Sequence, residues 1–425
     1  MPFFHYFLII FAFISVFKIF VDRRQLALYR KSNREGYVLD LFDEKEFNDS
    51  QIYNAEKMEF RIIHNLFETA LEVIFWVFLC FSTVWNWVDS TLSSFGLCSN
   101  EPYRNDILQA LIFLIAFEII EQVINLPFTY YSTFVIEEKY GFNKMTRGTF
   151  VGDMMKKFAI TAVILSIVMP IILWLVHVSG PALILNLAGA SIVIVILISL
   201  LIPTVIIPLF YTLTNLEDGE LRTAVLKEAE KTDVSVAEIK VIDGSKRSSH
   251  SNAFVSGFWK FRKVVLFDTL IEQHSIEEVC AVVNHELGHV VYKHILQQVC
   301  MTSLTLILMF SCFNFTLGNR SIIESFKFSN ESNFLYLFLF MKLYMPVSTV
   351  VNFISMFLIR RAEYQADAFA VTHGHAKALK DGLVNLFKRN KGPLVADSMY
   401  SALNHSHPTL VERLTAIDDA VKAKQ

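Results

Sequence analysis

Charge is scarce in this chain. Asp, Glu, Lys and Arg make up only 19% of its 425 residues, and hydrophobic residues make up 53%. A soluble domain is nearer a quarter charged, so this balance, with a mean hydropathy of +0.43, argues against one compact soluble domain and for a membrane protein. Cysteine is equally sparse, with five residues in no framework pattern. Cys80, Cys300 and Cys312 lie in apolar runs, Cys280 precedes a histidine-bearing stretch and Cys98 sits alone in a polar loop, which excludes a disulfide-stapled scaffold. There is no surplus of positive charge (net −3), so no nucleic-acid partner is expected. No fixed-period repeat or low-complexity tract occurs, which excludes a solenoid.

What is abundant is apolar sequence. The 39 phenylalanines suit lipid-facing or apolar packing. A helix needs about 20 mostly apolar residues to cross the hydrocarbon core. Seven stretches qualify: 3–21, 66–88, 107–127, 158–178, 181–210, 300–317 and 334–359. The first has no basic leader and no clear small-x-small cleavage site, and basic residues follow it, so it reads as a retained anchor. Lys and Arg cluster after the first, third, fifth and seventh stretches (Arg23, Arg24; Lys139, Lys144; Lys246, Arg247; Arg360, Arg361) and are few in the other loops. The positive-inside rule then predicts a lumenal N-terminus and a cytosolic C-terminus. Glu118 and Glu121 fall inside the third stretch, three apart and on one helical face. Intramembrane carboxylates usually face a cavity or pair between helices.

The remaining sequence divides the chain into a five-span region (1–213), a non-membrane segment (214–298), a two-span hairpin (299–360) and a cytosolic helical segment (361–425). Strands are expected at 239–242, 253–258 and 264–267. Ser275 with Glu278 three later makes a capping box that starts a helix just before Ile276. No proline follows until Pro346, so that helix is expected to run directly toward the sixth span.

It carries VNHELGHVVYKH, residues 283–294. His285 and His289, four apart, share a helix face and can offer two imidazole nitrogens to one Zn²⁺. Glu286 beside them can take a proton from a water. A catalytic zinc needs a third protein ligand. The extended pattern that supplies a third histidine is excluded, because Tyr292 and Ile295 stand at its positions. RRAEYQAD, residues 360–367, offers an acid instead: Glu363 as ligand and Asp367, four later, to fix a ligand imidazole. HELGH precedes the sixth span and Glu363 follows the seventh, so the chain goes out and comes back, and the three ligands end on one membrane face. His294, five after His289, points off the ligand face of a continuous helix. It reads as a surface histidine or as one supporting a ligand from behind.

With these motifs, and with SKRSSHSNAFVSGF (245–258), FVIEEKYGFNK (134–144), VVLFDTLIEQ (264–273) and SHPTLVERL (406–414), the chain resembles the type I CAAX prenyl proteases over nearly its whole length. HELGH is common to many zinc peptidases, whereas SKRSSHSNAF and EEKYGFNK are far more specific. Gln273 leads almost directly into the HELGH helix, where some relatives carry a long charged insert, so no role tied to that insert transfers.

The resemblance implies a mainly α polytopic membrane protein, with seven transmembrane helices enclosing a water-filled chamber and a small α+β cytosolic zinc-peptidase domain. It implies a location in the endoplasmic-reticulum or inner nuclear membrane. Prenylated CAAX-box proteins or peptides are the implied substrates, with the bilayer as the other partner. His285, His289 and Glu363 match the zinc ligands and Glu286 the general base. Asn252 in SHSNAF and His407 in SHPTL match groups that stabilise the oxyanion; taken alone they read as a turn residue and a surface histidine. The 253–258 strand can accept a substrate as an added edge strand. Two other readings compete: a membrane quality-control zinc protease of broad specificity, and a seven-span receptor or transporter with an incidental HELGH.

Overall fold

The computed structural model describes residues 2–31, 36–97, 102–257 and 261–424. Cys98 and the Phe258 end of the strand expected at 253–258 lie outside them. The architecture is mainly α, as expected. Five helical stretches are long and apolar enough to cross a membrane: α1 (Pro2–Tyr29), α4 (Pro102–Tyr131) with its π-helical extension Ser132–Glu137, α5 (Arg147–Val178), the stretch Gly180–Phe210 built on α6 (Leu183–Leu201), and α9 (His294–Thr316). Two bent pairs, α2 (Glu44–Val77) with α3 (Cys80–Ser94) and α10 (Asn333–Leu343) with α11 (Met345–Thr372), bring the number to 7 when each pair counts as one span.

Both bends have local causes. Leu79, between α2 and α3, takes a left-handed φ of 58°, which no helix interior tolerates, and the axes turn by 56°. Between α10 and α11 the axes turn by 60° just before Pro346, which has no N–H to continue the preceding ladder. The outer faces of the spans carry exposed apolar side chains such as Ile9, Val16, Val163 and Leu185, as a lipid-facing surface requires.

Between the spans lies a cavity of about 1060 Å³, walled by apolar side chains such as Phe117 and also by Asp22, Arg61, Glu72, Glu121 and Lys342. Glu121 thus faces the interior, while Glu118 accepts a hydrogen bond from Gln122 at 2.8 Å. Some of the charge at this depth is paired, which offsets its desolvation. Lys342 Nζ lies 2.5 Å from Glu72 Oε1, which also accepts from Trp76 Nε1 at 2.9 Å.

The non-membrane part contains a four-stranded sheet in the order β1-β2-β4-β3: β1 (Leu213–Asn215), β2 (Glu238–Ile242), β3 (Ala253–Ser256) and β4 (Lys263–Phe267). β2 and β4 are parallel; β1 and β3 pair antiparallel on the two edges. The three expected strands appear, and β1, too short to show alternation in sequence, joins them. Helices α7 (Glu220–Lys231) and α8 (Ile276–Val291) pack against the sheet through Val225, Val264, Leu266, Val283 and Leu287, each fully buried. Each such side chain contributes about 1.5–3 kcal/mol. Helices α12 (Ala376–Arg389), α13 (Ser398–Asn404) and α14 (Leu410–Lys424) follow α11.

The capping box at the start of α8 forms as the sequence predicts, with Ser275 Oγ accepting from Glu278 N and Glu278 Oε2 accepting from Ser275 N. The helix does not run on into the sixth span, however. Lys293 adopts φ 57°, and α8 ends at Val291 before α9 begins at His294. Conversely, α11 continues well past the expected end of the seventh span, to Thr372. Glu363 and Asp367 therefore ride on a rigid extension of that span.

A buried polar knot ties α7 to α8. Glu228, 6% exposed, accepts from Lys231 Nζ at 2.6 Å, Asn284 Nδ2 at 2.7 Å and His375 Nε2 at 2.9 Å. Burial alone raises its carboxyl, but Lys231, His375 and Asn284 together hold it below the ordinary value of 4.5. Glu228→Ala leaves these donors unmatched and should cost about 2 kcal/mol, read as a lowered unfolding midpoint at pH 7. The carboxylate's contribution is complete above pH 4.5 and is lost as acid titrates the folded group below it. The gap between wild type and variant should therefore narrow in acid. Equal midpoints at pH 7 would remove the knot's structural role.

Candidate metal centre

The site forms where α8 crosses α11. The crossing is close because residue 288 is glycine. A Cβ there would sit 3.0 Å from the Phe369 Cβ and 3.1 Å from the Ala366 Cα, so any side chain would push the helices apart by tenths of an ångström. The close approach carries the ligand face of α8 onto Glu363.

Two imidazole nitrogens and the Glu363 carboxylate converge. His285 Nε2 and His289 Nε2 lie 3.2 Å apart, and each lies 3.4 Å from a different oxygen of Glu363. Ligands on a zinc tetrahedron with bonds of about 2.0–2.1 Å stand about 3.3–3.4 Å from one another. The two imidazole nitrogens stand at about that separation, and one donor atom from each of the three residues lies within 4.8 Å of the other two, so this donor triangle can hold one such ion; among the described residues it is the one group of this kind. His285 and Glu363 are 5% and 4% exposed, whereas His289 and Glu286 are half-buried, so the cluster opens on that side. Glu363 Oε2 is buried without a hydrogen-bond donor, although His407 Nδ1 approaches it off-axis to 2.7 Å.

Each imidazole is held from behind. His285 Nδ1 is 2.8 Å from Asp367 Oδ1. Asp367, 1% exposed, is itself gripped by Arg413 through Nε at 2.8 Å and Nη2 at 2.6 Å. The pairing leaves the His285 Nε2 lone pair for a ligand role. His289 Nδ1 is 2.9 Å from His294 Nδ1, and His294 Nε2 is 3.0 Å from Gln365 Oε1. His294 is thus a buried support (7% exposed) and not a surface histidine, because the left-handed turn at Lys293 swings it back toward the ligand face.

The electrostatics favour a cation at the triangle. Burial lowers His285, but Asp367 and Glu363 more than reverse this and raise it to about 9. Burial and the neighbouring His285 lower His289 to about 4, which keeps its lone pair free at neutral pH. Burial also lifts the Glu286 carboxyl above the usual range; His285 opposes this and the charge of Glu363 adds to it.

Of the other expected site residues, His407 reaches the cluster through Glu363. Asn252 is exposed, its Oδ1 accepting from Ala253 N at 2.9 Å. It makes no hydrogen bond to the donor atoms; it stands at the head of β3, which packs against α8. Sequence reasoning missed Arg413. It lies inside the quoted SHPTLVERL, but nothing local distinguishes it from a surface arginine.

Sequence models of two families match the chain: "CAAX prenyl protease N-terminal, five membrane helices" over residues 25–212 and "Peptidase family M48" over residues 215–421. The chain is 35% identical to "Probable CAAX prenyl protease 1" of Schizosaccharomyces pombe, an alignment covering 94% of this chain and 85% of the relative. This chain belongs to the type I CAAX prenyl protease family. It is also 33% identical to "CAAX prenyl protease 1 homolog" of Oryza sativa, over 96% of each chain. It superposes on the crystal structure of S. mikatae Ste24p with a TM-score of 0.90 at 30% identity, over 98% of this chain and 99% of that one. The CAAX protease relatives and the M48 match identify a multi-pass membrane protease, and the receptor or transporter reading falls away.

Two variants test the centre. Gly288→Ala and Arg413→Gln should each weaken divalent-metal affinity by about 10–100-fold, the first by spreading the triangle and the second by freeing Asp367. Competition against a chromophoric chelator measures this, and wild-type affinity in both would refute the account.

Proposed function

We propose that the chain is a zinc metalloendopeptidase that hydrolyses peptide bonds near the prenylated C-terminal Cys-a-a-X box of lipidated proteins. In this reading the active site lies on the cytosolic face of the endoplasmic-reticulum or inner nuclear membrane. The reading rests on one observation above all: two imidazoles and one carboxylate, buried and brought within reach of a single ion. The names of the relatives support the substrate class, and a lipid-anchored substrate gives a physical reason for a peptidase site built on the extension of one membrane span and on a helix that abuts another. The charge asymmetry of the loops supports the orientation.

His285, His289 and Glu363 would hold the ion, and Asp367 would keep His285 in the ligating tautomer. When bound, zinc supplies Lewis-acid polarisation of the scissile carbonyl and acidifies water at its open position. Glu286 takes the proton of the attacking water and passes it to the leaving amine, a task suited to a carboxyl whose basicity burial has raised. His407 and Asn252 donate to the oxygen that becomes negative in the transition state. The substrate backbone would pair with the free edge of β3, whose other edge is occupied by β4.

Glu286→Gln should keep one zinc per chain while peptidase activity on a prenylated peptide falls by about 10²–10⁴-fold. Near wild-type cleavage would overturn the mechanism. Wild type should cleave the prenylated peptide faster than its unprenylated twin; equal rates would favour the quality-control protease.

A further inference from the structure

His407 sits in a short link between α13, which ends at Asn404, and α14, which begins at Leu410. Its C-terminal side is held by a reciprocal bond pair between Thr409 and Glu412 and by Arg413 on Asp367. The N-terminal side is held from the membrane region. Asp397 accepts from Met399 N and Tyr400 N to start α13. Gln25 and Arg24 of α1 secure Asp397 in turn, through its backbone N–H at 2.7 Å and its carboxylate at 2.7 Å.

One turn of α13 further on, Arg61 of α2 reaches across. It donates to Tyr400 Oη at 2.8 Å and Asn404 Oδ1 at 3.1 Å, and is anchored by Asp22 Oδ1 at 2.7 Å. Asp22 is 1% exposed and also accepts from Asn65. Tyr400 then meets the ring of His405 edge-on at 5.2 Å, two residues before His407. Asp22, Arg61, Leu403 and Asn404 also line the bundle cavity, so this clasp forms the cavity wall next to the His407 link.

We infer that Arg61, anchored by Asp22, is a positioning residue that sets His407 over Glu363. The inference rests on the proposed role of His407 at the oxyanion. A planar guanidinium spanning acceptors on two elements fixes both their separation and their orientation, which a lysine point charge cannot do. α13 itself packs on α11, where Ser401 Oγ accepts from Arg360 Nη1 at 3.5 Å, but the hydrogen bonds of Arg61 run to Asp22, Tyr400 and Asn404 and not to α8 or Glu363, so its loss should spare the zinc and disturb mainly the link. The membrane helices would then act on the chemistry as well as anchor the enzyme.

The test uses the full-length protein, comparing wild type, Arg61→Met, His407→Ala and the double variant. Arg61→Met should retain zinc and lose about tenfold in kcat with little change in KM, the pattern of an interaction made in the transition state. The double variant should be no slower than His407→Ala alone, because both changes remove the same contribution. Arg61→Lys, which keeps the charge without the fork, should recover only part of the rate. Amide hydrogen exchange should quicken at 401–407 and stay unchanged at 283–289.

Additive losses in the double variant, or unchanged exchange at 401–407, would overturn the inference. If Arg61→Met does not fold, Asn404→Leu removes one acceptor while keeping the Asp22 pair, and the same measurements decide. Exchange needs no substrate. An inactive wild type with quickened exchange in the variant would therefore sink the substrate reading and leave the clasp standing.

Discussion

The close crossing of α8 and α11 at Gly288 is the constraint on which the site depends. Two histidines on one helix turn are common and bind nothing strongly without a third donor at the right separation. Here that donor arrives from a helix that has left the membrane and continued as a rigid rod. The contact at Ala366 and Phe369 leaves no slack for a methyl group. Phe369 belongs to the same buried cluster as Val283 and Leu287, so the sheet, α8 and α11 pack as one unit and the donor triangle inherits that rigidity.

Around the triangle, buried polar groups work in ranked pairs. Asp367 fixes His285 and Arg413 fixes Asp367; Gln365 fixes His294 and His294 backs His289. Such groups are costly to bury unless every partner is present, and each chain here ends on a satisfied group from a separate helix. The membrane region follows the same rule. Glu72 with Lys342, and Asp22 with Arg61, pair opposite charges beside a cavity, which lowers the cost of enclosing polar space in the bundle.

The breaks between helices have as much bearing on function as the helices themselves. The left-handed residue at Lys293 changes a histidine that would point away into one that backs His289. The bend before Pro346 aims α11 back at α8. Both are single-residue events inside otherwise apolar, helix-forming sequence, and their effects appear only in the direction taken by the next twenty residues.

The spans, the capping box at Ser275, the shared helix face of His285 and His289, and the meeting of Glu363 with them could all be read in advance. Each follows from a local period, a fixed spacing or the parity of membrane crossings. The structure alone decided that α8 stops short of the sixth span, that β1 exists, that Arg413 locks Asp367 and that glycine at 288 sets the helix separation. Those outcomes depend on contacts between residues tens to hundreds of positions apart and on one backbone angle. Neither leaves a periodic trace in a chain whose apolar runs look alike wherever they bend.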